Sequence, residues 1–161
     1  MRPVSTALLS LALTCLSACF EPAGGRYIVA ANTAGLVVVE QVVVNGASAS
    51  ARTTMVAPAD KPLPLTGKAP IVQVQYFHEF DCSGRQMASR GQRFVLQDGE
   101  ILDLPARQLK WSKPRDRQLE GDILAVVCDP AVARAKSTRN SFGMVTRRYQ
   151  RLLREQAVQA S

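Results

Sequence analysis

Between Arg26 and about Pro114 the apolar residues recur in the period of a β-strand, and beyond Pro114 they recur in the period of a helix. That change of period limits the fold more than any other feature of the chain, because it demands a sheet followed by helices rather than an alternation of the two. Ile71 to Cys82 is the clearest strand. Val72, Val74, Tyr76, Phe80 and Cys82 share one face, and Gln73, Gln75 and Glu79 share the other, so the segment reads as half buried with its cysteine aimed at a core. Tyr27 to Ala30 is a short strand. Leu36 to Val39 and Gln41 to Val44 form a longer β-branched run around Glu40, closed by the turn pair Asn45-Gly46. Arg52 to Val56 reads as another strand, ended by Pro58, Pro62 and Pro64, which cannot donate to a ladder. Gln86 to Leu96 and Ile101 to Leu104 form a hairpin around Asp98-Gly99.

From Arg117 to Val127, Leu119, Ile123, Val126 and Val127 stand three and four apart, which predicts a short helix with Asp116 as its N-cap and Asp129-Pro130 as its stop. Gly121 weakens it by up to about 1 kcal/mol relative to alanine, and 123–127 also fits a strand. Further on, Phe142, Val145, Tyr149, Leu152 and Leu153 make an apolar stripe, with Arg147, Arg148, Arg151 and Arg154 over much of the remaining surface. These four arginines are the candidate partner-binding residues. A basic helix of this kind lies on an anionic surface, docks in a partner groove, packs on its own domain with its arginines in water, or frays.

The charge is concentrated in that last segment. Residues 131–161 hold seven cations against Glu155 alone, so they carry +6 of the formal +7. Setting aside that segment and Arg2 leaves 12 cations and 12 anions between Cys19 and Pro130, an electrically balanced domain.

At the other end, Arg2, the apolar run Ala7 to Leu13 and a small-residue close have the order of a secretory signal, too short to span a bilayer permanently. Leu16-Ser17-Ala18-Cys19 resembles the lipobox of bacterial lipoproteins, in which the cysteine takes a diacylglycerol, the leader is cut before it and the new N-terminus is acylated. Cys19 is the expected lipidation site, and several acyl chains exceed the two signals that stable anchoring needs. The alternatives are an ordinary cut near Ala18 and a lipobox at Cys15, which Thr14 disfavours. Phe20 stands where an inner-membrane retention signal would place Asp, so the expected location is the outer membrane, with either face open. Four segments result: a leader over 1–18, a tether over 19–25, a domain over 26–130 and a basic helical tail over 131–161.

With Cys15 removed and Cys19 acylated, Cys82 and Cys128 remain in an oxidising compartment and are expected to pair, the alternative being two reduced thiols. His78 is the sole histidine and lies on the apolar face of Val74, Tyr76 and Phe80, where it reads as a packed or rim residue rather than a metal ligand. No Gly-x-Ser-x-Gly elbow or phosphate loop is present, and Asp81, Asp116 and Glu120 read as turn and cap residues, so neither catalysis nor a cofactor is expected. Trp111 reads as a core plug between sheet and helix, because large aromatics are few.

Phe80-Asp81-Cys82-Ser83-Gly84-Arg85-Gln86, then Trp111 followed by Pro114, then Gly121-Asp122-Ile123-Leu124-Ala125-Val126-Val127-Cys128 resembles the surface-adhesin protein E family of Gram-negative lipoproteins. The resemblance covers about residues 26–128. It implies an antiparallel sheet with a C-terminal helix tied to it by the disulfide, and a surface or periplasmic binding module. The family's founding member binds host matrix and serum proteins, through stretches outside these motifs, so no ligand residue carries over. The segment beyond Pro130 extends past the point where that family commonly ends. The expected class is thus α+β: an antiparallel β-sheet, a short C-terminal helix held to it by a disulfide, and a basic amphipathic helical tail. The expected function is a non-catalytic, lipid-anchored envelope module that binds a host matrix or surface. The alternative is an assembly lipoprotein of the envelope or of a secretion or conjugation apparatus, docking an envelope protein through the basic helix. Nucleic acid is not an expected partner, and the sequence specifies no oligomeric state.

Overall fold

The computed structural model describes residues 25–106 and 108–159; the leader, Cys19 and the tether through Gly24 lie outside the described residues. Strands β1 (Arg26–Asn32), β2 (Gly35–Asn45), β3 (Ser48–Val56), β4 (Ile71–Asp81), β5 (Gln86–Leu96) and β6 (Ile101–Pro105) pair antiparallel in chain order. A two-residue strand, β7 (Ser137–Thr138), joins the outer edge of β1 and completes the sheet order β6-β5-β4-β3-β2-β1-β7. Gly46 takes the left-handed backbone (φ 61°) that closes the β2–β3 hairpin, as the Asn-Gly pair predicts. β3 starts at Ser48, well before the expected Arg52. Its first residues are small, and their pairing sets Ala49 opposite Phe80 and Ala51 opposite His78, where a small side chain makes room for a large one.

Leu36 to Val39 are apolar at every position because β2 is covered on both faces. Val37 and Val39 turn to one side, where they join Tyr27, Val29, Ala49, Ala51, Phe80 and Met87 against two helices, α1 (Leu119–Cys128) and α2 (Pro130–Lys136). Leu36 and Val38 turn to the other, where they join Val56 against Val145 and Tyr149 of a third helix, α3 (Phe142–Gln159). The molecule is therefore α+β, with helices on both faces of the antiparallel sheet near β2. A third apolar cluster, Ile71, Val74 and Leu96, lies farther along the sheet.

The α1 boundary differs from the sequence expectation. Asp116 is not its N-cap: the cap position is Gln118, which makes no side-chain cap bond, and Arg117 sits in the left-handed region (φ 63°) just before it. Asp116 instead lies 3.5 Å from Arg85 at the surface. Asp129 does more than stop α1. Its carboxylate accepts from the N–H groups of Ala131 (2.8 Å) and Val132 (3.4 Å), and Pro130 occupies the first turn, so the pair that closes α1 opens α2. Cys82 and Cys128 are bonded (S–S 2.04 Å), linking the chain just after β4 to the last residue of α1. Trp111 is not a core plug, being 46% exposed. Phe80, Met87, Ile123, Leu124 and Val126 already fill the space beneath α1.

Residues beyond Pro130 are built into the same fold. Ala133 of α2 is in the core, Ser137 and Thr138 pair with Tyr27 and Arg26, and α3 covers the second face of the sheet.

Candidate functional site: the basic face of α3

The side of α3 that meets the sheet is fixed by three groups besides its apolar residues. The Tyr149 hydroxyl donates to the Asn32 carbonyl at 2.8 Å, at the end of β1. Burial, and then the Asp60 carboxylate, raise the Tyr149 hydroxyl above its ordinary range, so it stays a donor at neutral pH. Gln150 bonds the loop after β3 twice, donating to the Ala57 carbonyl (3.1 Å) and accepting from the Ala59 N–H (3.0 Å). At the N-terminal end, Ser141 Oγ accepts from the Met144 N–H at 3.3 Å. Of the expected apolar stripe, Val145 and Tyr149 are buried, Phe142 and Leu153 are half buried, and Leu152 is exposed.

With that stripe turned inward, Arg147, Arg148, Arg151 and Arg154 are all exposed on the outer side. At 3.6 residues per turn they fall within an arc of about 120°. Arg151 lies 3.8 Å from Glu155; among the described residues Arg147, Arg148 and Arg154 have no salt-bridge partner. The structure thus brings the four predicted arginines together on one rigid face and withholds the apolar side from any partner. It places Met144 and Val158 on the same outer side, both exposed.

Beside this face, between the C-terminal half of α3 and the loop after β3, is a groove of about 660 Å³ lined by Asp60, Lys61, Gln150, Leu153, Arg154 and their neighbours. Periodicity gives no sign of Gln150, Asp60 or Lys61, because a polar residue at a helix edge and two in a proline-rich loop leave no periodic mark. Lys136 and Arg139, two further cations of the basic segment, have no position that a local pattern fixes. They flank β7, so they sit exposed beside the start of β1.

Several other ionisable groups are engaged in the fold. The buried Glu40 carboxylate accepts from Arg26 Nε (2.7 Å) and Arg52 Nη2 (3.1 Å), next to the register shift at Gln41 (φ 52°). His78 is buried between Tyr76, with ring centroids 5.8 Å apart and nearly parallel, and Phe80. Desolvation pushes it down to about 4, against the opposing pull of the Ala88 carbonyl and of Glu120, so it is neutral at pH 7. The Asp81 carboxylate accepts from the Gly84 N–H (2.9 Å) and Ser83 Oγ (2.7 Å), which holds its carboxyl below the usual range and shapes the β4–β5 turn. Among the described residues no group of three or more His, Cys, Asp and Glu side chains converges. No known family model, no curated protein and no solved structure matches this chain.

Proposed function

We propose that this chain is a non-catalytic, lipid-anchored binding module of the bacterial cell envelope that engages its partner through the outer face of α3. The observation that carries this reading is the alignment of Arg147, Arg148, Arg151 and Arg154 on one exposed face of a helix whose apolar side is already docked. In this reading the sheet and the short helix ending at Cys128 are a scaffold tied by the disulfide, and the basic helical segment is the working surface. Cys19 is its lipid anchor and the outer membrane its address. A basic face on a helix already docked suits an anionic partner, since no backbone freedom is lost on binding and only the arginine side chains have to be ordered. The envelope-assembly reading uses this face directly, whereas the host-surface reading rests on the resemblance to protein E, a family that commonly ends before this helix.

The test is crosslinking of the full chain in whole cells, with partners read by mass spectrometry and exposure read by protease on the same cells. Arg147→Glu with Arg151→Glu is expected to deplete the crosslinked partner while the level of the protein is unchanged. An unaltered partner profile refutes the assignment of this face. A purified chain carrying no acyl mass on Cys19 refutes the anchor.

A further inference from the structure

We infer that the outer face of α3 rests on the anionic phospholipid headgroups of the same membrane that holds Cys19, so that the anchored protein lies on the bilayer in one fixed orientation. The inference rests on the lipid-anchor reading above and names the partner of the α3 face. Three observations carry it. The first is charge: four arginines face outward along α3, with Glu155 the one acid among them, and three of the four have no salt-bridge partner among the described residues.

The second is where the chain enters the fold. The described chain enters at Gly25 and β1 begins at Arg26; Arg26 and Tyr27 pair with β7, and β7 leads within a few residues to the first turn of α3. The entry point and the start of α3 are therefore at the same end of the sheet, with the exposed cations Lys136 and Arg139 beside them. From Cys19 to Gly25 the chain can reach at most about 20 Å, less than the length of α3 at about 27 Å. A lipid on Cys19 thus holds the N-terminal end of α3 near the bilayer surface, from which the arginine row runs on along the helix. The third is the use of the apolar stripe. Val145 and Tyr149 are buried against the sheet, so α3 cannot sink into the acyl region as a free amphipathic helix does. What it can offer is a peripheral, salt-sensitive contact, with Met144 and Val158 near the two ends of the arginine row at the headgroup boundary.

The experiment uses the full chain purified in its acylated form and reconstituted into vesicles of phosphatidylcholine alone or mixed with phosphatidylglycerol. Phenylglyoxal labelling of each arginine is followed by mass spectrometry. Arg147, Arg148, Arg151 and Arg154 are expected to label several-fold more slowly in the mixed vesicles and to recover in concentrated salt. Arg115 and Arg117, beside the N-terminus of α1 on the opposite side of the sheet, are expected to label equally in both. Equal rates for the α3 arginines in the two vesicles overturn the inference, as does protection by soluble heparin without protection by anionic lipid, which assigns the face to a sulfated glycan. If the chain proves unacylated, the anchor reading fails by itself. The same chain is then added to preformed vesicles, where sedimentation that depends on phosphatidylglycerol and weakens about fivefold per arginine changed to glutamine supports the α3 contact. Sedimentation indifferent to those changes overturns it.

Discussion

Replacing Tyr149 by alanine separates a helix built into the fold from an appendage. Tyr149 is 5% exposed, packs with Leu36, Val38, Val56 and Val145, and donates to the Asn32 carbonyl. An aromatic side chain of this size removes roughly 150–250 Å² from water. At about 25 cal/mol per Å², and allowing for the remaining methyl and for a partly compact unfolded chain, its removal costs about 3 kcal/mol. Losing the O–H bond adds about 1 kcal/mol. Alanine's better helix propensity offsets about 0.5 kcal/mol. The net loss is about 3–4 kcal/mol, a large part of the roughly 5–15 kcal/mol that stabilises an ordinary domain. Urea unfolding of the oxidised full chain, followed by far-ultraviolet circular dichroism, is expected to show a midpoint lowered by about 1.5–2 M for an m-value near 2 kcal/mol/M. Tyr149→Phe, which loses the hydroxyl alone, is expected to lose about 1 kcal/mol. A Tyr149→Ala midpoint within about 0.5 M of the parent refutes the reasoning, because it means that α3 contributes nothing to the cooperative unit.

Three further outcomes are expected. Changing Cys82 and Cys128 together to alanine opens a loop spanning 46 residues and lowers stability by roughly 4 kcal/mol in the chain-entropy model; a change under about 1 kcal/mol by urea titration contradicts it. His78 is held neutral by burial, with its folded value about 4 against an ordinary 6.5. The unfolded chain therefore takes up the proton first, so the stability present above pH 6.5 falls as pH drops toward 4, by up to about 3 kcal/mol. His78→Leu should remove that component, and identical pH dependence in the two proteins, read from unfolding midpoints between pH 7 and 4, contradicts the assignment. Gly121→Ala improves helix propensity by about 1 kcal/mol, yet an alanine Cβ runs into the Arg115 carbonyl, so the melting temperature is expected to fall; a rise contradicts the close packing of the 115–116 backbone on α1.

Most of the strands between Tyr27 and Leu104 are legible because side chains on a pleated strand alternate, or run apolar where both faces are covered, within the segment itself. Cys128 as the end of a short helix is legible for the same kind of reason, and so is the grouping of four arginines on one helical face. What stayed hidden depends on what lies opposite. The apolar run Leu36 to Val39 marks a β-strand without showing that helices cover both of its faces. Ser48 to Ala51 have weak strand propensity and are strand because Phe80 and His78 need small neighbours. Trp111 has a core residue's composition and a surface residue's position, because other side chains already fill the space under α1. In α3, the apolar stripe and the arginine face both follow from a helical period of 3.6 residues and are written in the local pattern. Long-range packing decided which of the two meets the rest of the protein. It did so through Tyr149, Gln150 and the two-residue strand that sets α3 on the sheet, contacts between residues far apart in the chain that no local pattern encodes.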